Sequence, residues 1–292
     1  MLSPDIIKKI KRVHIRSSRT VNTMMAGQYR SVFRGSGIEF EDVREYSPGD
    51  DIKHIDWKVS ARLGRPFIKR YREEREQVVM LLVDMSASQR FGTVDCLKQE
   101  LAAEVASILA FNAIRSNDKV GAILFTREVE RYIPPQKGSA HVWRVIKAFF
   151  DHDPDHAGTD IAQAIAYLGR VARKRVICFL ISDFLSPTYE KALRIAARRH
   201  EVIGVLLSDP GEFRLPEGGI LTARDAESGQ VRILDAADRR TREAYSRGRR
   251  NAYRKAEDVL KASGVDCIRI ATDHAAADAL VRYFRLREKR SR

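Results

Sequence analysis

Three short stretches of the sequence carry hydroxyl and carboxylate side chains of the kind that bind a metal ion. In the first stretch, Asp84, Ser86 and Ser88 alternate with apolar residues. The other two stretches contribute Thr159 and Asp183. Such hard oxygen donors suit Mg²⁺ (or Mn²⁺), which takes about six oxygens at roughly 2.0–2.1 Å. Because these side chains supply at most about five oxygens, at least one position is left for water or for an acidic ligand.

The first stretch follows an apolar run that is typical of a buried strand. Residues 78–83 are all apolar and include three valines, and Asp84 ends the run. This pattern indicates a strand that is covered on both faces in a parallel α/β sheet. In open sheets of this class, the carboxyl ends of the strands face the ligand crevice. We therefore expect the three alternating oxygen side chains to lie at that crevice.

Thr159 and Asp183 fall at comparable places in the pattern. Thr159 precedes a helix predicted to end at Ala172, and Asp183 follows a second apolar strand predicted over 176–181. Taken singly, each residue has a structural explanation, since Thr commonly caps helices and aspartates commonly end strands. The occurrence of all three stretches at one edge of a sheet favours a shared metal site.

The rest of the chain alternates between strand and helix patterns. We predict further strands over 119–126, 129–133, 202–207 and 265–270, weak strand patterns over 211–236, and further helices over 94–115, 140–150, 187–199, 237–262 and 275–289. A two-residue turn joins the strands 119–126 and 129–133, so this pair should be antiparallel and 129–133 should lie at or near an edge. The order predicts an α/β fold with a doubly wound, mostly parallel sheet and right-handed crossovers.

Residues ahead of this sheet predict a small helical and β extension. A basic amphipathic helix is expected over 4–18. The segment 35–62 suggests a short strand, a tight turn at Pro48-Gly49 and a polar loop carrying a buried tryptophan, Trp57, and a further strand follows over 66–71.

Length and composition fit two compact units. The chain has 292 residues and is 44% hydrophobic, enough for one domain of about 200 residues and a smaller appendage. We divide it into an N-terminal extension, 1–76, and an α/β domain, 77–292. No apolar run approaches the ~20 residues that span a bilayer, and no signal-type core begins the chain, so a cytoplasmic protein is expected. The three cysteines are widely spaced, which favours reduced thiols.

The net charge of +14 is concentrated at the two ends of the chain. Residues 1–36 hold eight Lys or Arg against one Asp, and residues 237–292 hold sixteen against eight acids. Such ends could contact nucleic acid, an anionic surface or an acidic protein. Since no nucleic-acid-binding motif accompanies the charge, solvated helix faces are the favoured explanation.

Two sets of residues resemble known families. Asp84-x-Ser86-x-Ser88, Gly158-Thr159 and Ser182-Asp183 resemble the metal-ion-dependent adhesion site of von Willebrand factor A domains. The segment 35–62 is similar to the bacterial family called domain of unknown function 58, as are Ser182-Asp183-Phe184 and Asp209-Pro210-x-Glu212. That segment reads GSGIEFEDVREYSPGDDIKHIDWKVSAR.

The resemblance implies a von Willebrand factor A-like fold without enzyme activity. It also implies a cytoplasmic or membrane-anchored partner of MoxR-type AAA+ ATPases. In the implied site, Ser86 and Ser88 bind the metal directly, and Thr159, Asp84 and Asp183 bind it directly or through water.

Our prediction is a non-enzymatic adaptor that offers Mg²⁺ or Mn²⁺ to an acidic residue of a protein partner. With a MoxR-type AAA+ ATPase, it would remodel or mature a client protein. The segment 35–62 would form a second recognition or bracing surface.

Other readings remain open at this stage. A magnesium-dependent phosphatase or nuclease could use Asp84 as a nucleophile, although such enzymes usually carry a second acid where this chain has Ser86. A nucleic-acid-binding protein could use the basic termini. A zinc pair of His152 and His156 is disfavoured because Pro154 prevents the helix that would place both on one face.

Overall fold

The computed structural model describes residues 29, 33, 37–74, 76–94 and 96–290. The basic helix predicted over 4–18 lies outside these residues. The described residues form two compact units, one within 33–77 and a larger one that includes 78–290. The division into 1–76 and 77–292 stays a prediction, although one boundary between the compact units falls beside it.

The elements of the described residues alternate largely as predicted. They are β1 (Gly37–Glu45), α1 (Trp57–Leu63), β2 (Phe67–Glu74), β3 (Val78–Asp84), α2 (Lys98–Arg115), β4 (Lys119–Phe125), β5 (Val129–Gln136), α3 (Ser139–Asp151), α4 (Ile161–Val171), β6 (Ile177–Ser182), α5 (Glu190–Arg199), β7 (Glu201–Ser208), β8 (Ile220–Arg224), β9 (Val231–Asp235), α6 (Arg239–Ala262), β10 (Asp266–Ala271) and α7 (Ala276–Arg290). Short 3-10 helices lie at Ile52–His54, Ala87–Arg90 and Pro210–Phe213.

Six strands form the central sheet of the larger unit, in the order β10-β7-β6-β3-β4-β5. All neighbouring pairs are parallel except β4 and β5, which are antiparallel as predicted. The edge position of β5 suits its sequence, because Pro134 and Pro135 lack the amide hydrogens that an inner strand donates on both sides.

Apolar side chains bury both faces of the sheet. On one face, Met80 and Leu82 of β3 pack in a cluster with α4, α5 and α6. Leu81 and Val83 point to the opposite face and are equally buried, and α2, with α3 and α7 beside it, contacts the strands there. The continuous apolar runs therefore form strands covered on both sides, as the sequence predicts.

The strand order reverses between β3 and β6. The chain leaves β3 for β4 on one side, and β6, its neighbour on the other side, comes later in the sequence. Val83 pairs with Ile181, so the two strands end side by side. Such a switch point opens a crevice at the carboxyl ends of the strands.

Helix α2 begins later than the sequence pattern predicts, at Lys98 instead of residue 94. Thr93 is held in a loop by Asp209, which accepts hydrogen bonds from its backbone N–H (3.0 Å) and its hydroxyl (2.5 Å). These long-range hydrogen bonds hold the chain in a loop ahead of the helix. No local sequence pattern predicts them.

The smaller unit contains the antiparallel pair β1 and β2, and the helix α1. Arg44 and Asp50 form two hydrogen bonds, of 2.9 and 2.7 Å. Asp56 caps α1 by accepting from two backbone N–H groups. The prediction of a buried Trp57 is wrong, because its side chain is 69% exposed. The helix that it starts has seven residues and buries none of them.

The region 211–236, with its weak strand patterns, forms a separate hairpin. Strands β8 and β9 pair antiparallel in a two-stranded sheet of their own. Its apolar side chains Ile220, Val231 and Ile233 are exposed. The hairpin therefore owes little of its position to the core of the larger unit.

Candidate metal centre

The carboxylate of Asp84 is buried and held in place by hydrogen bonds from three groups. Asp84 ends β3 and its side chain is fully buried. One carboxylate oxygen accepts from the backbone N–H of Ser86 (2.9 Å), and the other accepts from the Ser182 hydroxyl (2.6 Å) and the Gln89 amide (3.4 Å). The carboxylate is therefore oriented from three directions.

The two serines link Asp84 to Asp183. After Asp84, a 3-10 turn over Ala87–Arg90 bends the chain back over the strand end. It places the hydroxyl oxygens of Ser86 and Ser88 3.2 Å apart, and Ser88 donates to Asp183 at 2.9 Å. Residues from the ends of β3 and β6 thus meet at the switch point of the sheet.

Thr159 reaches the same place from the loop before α4. The backbone oxygen of Thr159 accepts from the Ser186 hydroxyl at 3.0 Å. Its own hydroxyl donates to Glu227 at 2.6 Å, and Ser88 lies close to the same carboxylate. All the predicted site residues are therefore brought together, Thr159 through a shared carboxylate. Their role as metal ligands stays a prediction.

Lys98 also belongs to this site, although no local sequence pattern predicts it. Lys98 begins α2, and its fully buried ammonium group lies 2.8 Å from Asp183 and 2.9 Å from Glu212. Burial alone lowers the pKa of Lys98, but the charges of the two carboxylates raise it above its ordinary value. The lysine is thus held as a cation between the predicted site and the loop after β7.

Glu212 has its own set of donors. Besides Lys98, it accepts from Arg249 at 2.9 Å and from the Tyr253 hydroxyl at 2.5 Å. Both donors belong to α6. This part of the cluster is closed by side chains of the protein itself.

The site carries more negative charge than the protein compensates. Burial, followed by the neighbouring charge of Asp183, raises the pKa of Asp84 to about 7. Burial and the same neighbour also raise the pKa of Glu227. The connected carboxyl groups are Asp84, Asp183, Glu212 and Glu227, and the cationic side chains that touch them are Lys98 and Arg249. When all these groups are ionised, their net charge is −2, which one divalent cation would neutralise.

The donor set fits Mg²⁺ or Mn²⁺, since every group named for the site offers an oxygen. Within the described ranges, no three His, Cys, Asp or Glu side chains are grouped as a metal cluster. A cation here would therefore depend on the serine and threonine hydroxyls. The amide oxygen of Gln89 is also buried without a hydrogen-bond partner among the described residues, beside Asp84 and Ser88. The residues present thus fit such an ion.

The histidines considered for zinc meet a single carboxylate. His152 lies 2.5 Å from Glu130 and His156 lies 3.6 Å from it. Burial raises the pKa of Glu130, but hydrogen bonds from Thr126, His152 and the backbone lower it below its ordinary value overall. These contacts explain the histidines as partners of a buried acid, and the zinc reading stays a weaker prediction.

Solved structures with a similar fold support the predicted architecture. BatB from Bacteroides thetaiotaomicron is 20% identical, with a TM-score of 0.50 over 73% of this chain and 99% of that one. An aerotolerance-related membrane protein from Bacteroides fragilis is 19% identical, with a TM-score of 0.51 and the same coverage. These likenesses concern the fold alone. Together with the observed sheet, they confirm the doubly wound, mostly parallel α/β class. Among the described residues, no helix is both long and apolar enough to cross a membrane.

Sequence relatives extend over nearly the whole chain. The uncharacterized proteins Mb1516 of Mycobacterium bovis and Rv1480 of Mycobacterium tuberculosis are each 29% identical over 289 residues, which is 98% of this chain and 91% of theirs. YeaD of Bacillus subtilis is 27% identical over 134 residues, 46% of this chain and 29% of YeaD. The profile of the family described as "Protein of unknown function DUF58" matches residues 42–255. This chain therefore belongs to the DUF58 family.

Proposed function

We propose that the protein is a cytoplasmic, non-enzymatic adaptor that binds a protein partner through a divalent cation. The observation that supports this most is the hydrogen-bonded convergence of Asp84, Ser86, Ser88 and Asp183 at the switch point, with Thr159 joined through Glu227. Mg²⁺ or Mn²⁺ bound there would supply positive charge and a coordination position for an acidic oxygen of the partner.

The residues of the chain divide into two roles in this proposal. The hydroxyls of Ser86 and Ser88 would bind the ion directly. Thr159, Asp84 and Asp183 would hold it directly or through water. Other side chains hold these ligands in place, and they are Ser182 and Gln89 on Asp84 and Lys98 on Asp183. Partners of this second kind commonly matter for metal affinity nearly as much as the ligands.

The position of Asp84 argues for binding over phosphoryl transfer. A nucleophilic aspartate must present an oxygen to the phosphorus atom of its substrate. The Asp84 carboxylate is fully buried, and both its oxygens already accept hydrogen bonds from the protein. Turnover of a phosphate ester with Mg²⁺, abolished in Asp84→Asn, would support the phosphatase alternative instead.

For the partner we propose a MoxR-type AAA+ ATPase, together with a client that the pair remodels or matures. Family membership supports this choice. The test measures the affinity of the purified ATPase from the same organism for the wild type, for Asp84→Ala and for the wild type in chelator. We expect at least about a tenfold loss in both cases, equal to roughly 1.4 kcal/mol.

The matched control is Asp235→Ala, which removes an exposed aspartate at the end of β9. It should bind like the wild type. Circular dichroism shows whether each variant is folded, and the chelator arm needs no variant. Binding that changes in neither arm would remove the cation from the mechanism.

The smaller unit supports a second recognition surface within the segment 35–62. Trp57 and Ile52 are both more than half exposed, and exposed aromatic side chains are frequent binding hot spots. We expect Trp57→Ala to weaken binding of the ATPase by about 2 kcal/mol. Its free energy of unfolding should stay within about 0.5 kcal/mol of the wild type. Unchanged binding would assign this surface another role.

A further inference from the structure

The β8–β9 hairpin reaches the candidate metal centre through its turn. Its two strands form a sheet of their own, and their apolar side chains Ile220 and Ile233 are 77% and 74% exposed. The turn that joins them, residues 225–230, nevertheless lies against the candidate metal centre. Glu227, in the middle of this turn, makes the contacts with Thr159 and Ser88.

The turn is built to hold Glu227 in a fixed position. Asp225 accepts from the backbone N–H groups of Glu227 (3.2 Å) and Ser228 (2.7 Å), and from the Ser228 hydroxyl (2.7 Å). Gly229 donates its N–H to the Asp225 carbonyl at 2.9 Å and adopts a φ of +68°, which favours glycine. A turn closed by its own hydrogen bonds presents its central side chain with little loss of entropy.

Glu227 lies beside two of the residues proposed as metal ligands. One oxygen accepts from the Thr159 hydroxyl at 2.6 Å, and Ser88, whose hydroxyl donates to Asp183 at 2.9 Å, lies close to the same carboxylate. The glutamate is only half-buried, yet it lies near the negative charge of Asp183. A solvent-accessible carboxylate gains little from entering such a site unless a cation is present there.

We infer that Glu227 is an internal ligand of the cation site and that the β8–β9 hairpin is a displaceable cover. This inference rests on the proposed function, because it requires a cation at the Asp84 site. The carboxylate of Glu227 would fill the coordination position that the acidic residue of a partner needs. The partner must then displace the hairpin, so binding is restrained until its own acid replaces Glu227.

The test uses Mn²⁺ alone and then Mn²⁺ with acetate as a small external carboxylate. The variant is Glu227→Gln, which keeps the shape of the side chain and removes its charge. The matched control is Glu217→Gln, the same change at a side chain that is 88% exposed. Electron paramagnetic resonance measures Mn²⁺ affinity. Broadening of the ¹³C carboxyl signal of acetate by bound Mn²⁺ measures whether acetate enters the coordination position.

If the inference is right, Glu227→Gln binds Mn²⁺ at least about tenfold more weakly than the wild type, the smallest loss typical even for supporting residues of metal sites. At equal amounts of bound Mn²⁺, its acetate signal broadens several-fold more than in the wild type or in Glu217→Gln. Equal Mn²⁺ affinity and equal broadening in all three proteins would overturn the inference and leave the metal site standing.

A different result would show that the proposed function itself is wrong, and not only the inference about Glu227. Wild-type protein that binds no Mn²⁺, or binds it equally well after Asp84→Asn, would remove the cation and the internal ligand together. The amide chemical shifts of Thr159 and Glu227, measured with diamagnetic Mg²⁺, give an independent reading because they report the contact between the hairpin and the site. Acetate with Mg²⁺ should change these shifts in the wild type if the hairpin is displaced, and unchanged shifts would contradict a displaceable cover.

Discussion

Asp84 and Asp209 occupy similar places but have opposite surroundings. Each closes a buried strand, β3 and β7 respectively, and each is fully buried. Burial raises the pKa of Asp209, but hydrogen bonds from Thr272, Thr93 and Gly211 lower it below its ordinary value overall. For Asp84, burial and the charge of Asp183 raise the pKa to about 7 despite hydrogen bonds from Ser182 and Ser86.

The difference separates a structural carboxylate from one suited to binding. Asp209 receives neutral donors on both oxygens, including two hydroxyls at 2.5 Å, so its charge is already compensated. Asp84 shares its site with another carboxylate and is left under-compensated. Strand-end aspartates look alike in sequence, and the number of donors and the nearest like charge decide what each can do.

Lys98 connects the two regions, and its removal should have the largest effect. In Lys98→Met, Asp183 and Glu212 would remain buried without their shared cation. Breaking a buried ion pair in this way typically costs about 3–5 kcal/mol, so we expect a loss of about 4 kcal/mol in the free energy of unfolding. Urea denaturation in chelator measures it.

The control for this change is Lys147→Met. Lys147 pairs with Asp151 one helical turn away and is more than half exposed, so its loss should cost less than about 0.5 kcal/mol. Excess Mg²⁺ should restore part of the stability of Lys98→Met if the ion binds next to Asp183. Equal stability of the two variants would mean that Lys98 does not compensate these carboxylates.

Asp209→Ala should have the next largest effect. The change leaves the hydroxyls of Thr93 and Thr272 and the Gly211 N–H without their acceptor. We expect a loss of about 3 kcal/mol, because hydrogen bonds to a buried charged group contribute about 1.5–3 kcal/mol. Asp235→Ala, an exposed strand-end aspartate that accepts from Ala237, should lose less than about 0.5 kcal/mol.

The pH dependence of stability gives a second measure of Asp209. Its pKa is lower in the folded protein than in the unfolded chain, so the unfolded chain binds a proton first as the pH falls. The stabilisation is therefore complete above the unfolded pKa of about 3.9 and is lost as the pH falls through the folded pKa. Between about pH 5 and pH 3, Asp209→Asn should lose stability less steeply than the wild type. If the stability of the two proteins, measured by urea denaturation, fell equally with pH, Asp209 would have the same pKa in the folded and unfolded states.

Two threonines allow the same comparison with a smaller change. Thr272 and Thr159 each donate a hydroxyl to a carboxylate, at 2.5 and 2.6 Å, but only Thr272 is buried. Thr272→Val should cost about 2 kcal/mol, since Asp209 cannot replace the lost donor with water. Thr159→Val should cost less than about 0.5 kcal/mol because half-buried Glu227 can be hydrated. Similar losses would mean that both hydroxyls are structural.

Local sequence pattern was sufficient for the parts of the fold that depend on it. The apolar runs over 78–83 and 176–181 form central strands, and the general rule for strand ends explains why Asp84 and Asp183 meet. The antiparallel pairing and edge position of β5 follow from the short turn that joins it to β4. Each of these features is encoded within a few residues.

The partners that complete the candidate site come from distant parts of the chain. Lys98 pairs with residues 85 and 114 positions away, and Thr159 and Glu227 are separated by 68 positions. A lysine at a helix start and a glutamate in a weak strand region carry no signal of these contacts. The prediction that Trp57 is buried fails for the opposite reason. A tryptophan side chain favours burial, but no residue of its short helix is buried to form a core.

The smallest expected effect is also the one that separates the two aspartates most clearly. Asp84→Asn removes one of two neighbouring negative charges, so the metal-free protein should gain about 1 kcal/mol of stability. The new amide does not lack a partner, because Gln89 has a buried amide oxygen free to accept from it after a half-turn of its amide group. Asp209→Asn should be less stable than the wild type. Its new NH₂ group would face hydroxyl and N–H donors, from which the carboxylate oxygen that it replaces accepts hydrogen bonds. With excess Mg²⁺ the wild type should be stabilised further by ion binding, whereas Asp84→Asn should not respond. Urea denaturation of both variants in chelator and in Mg²⁺ tests this, and destabilisation of Asp84→Asn in chelator would make the two aspartates equivalent structural residues.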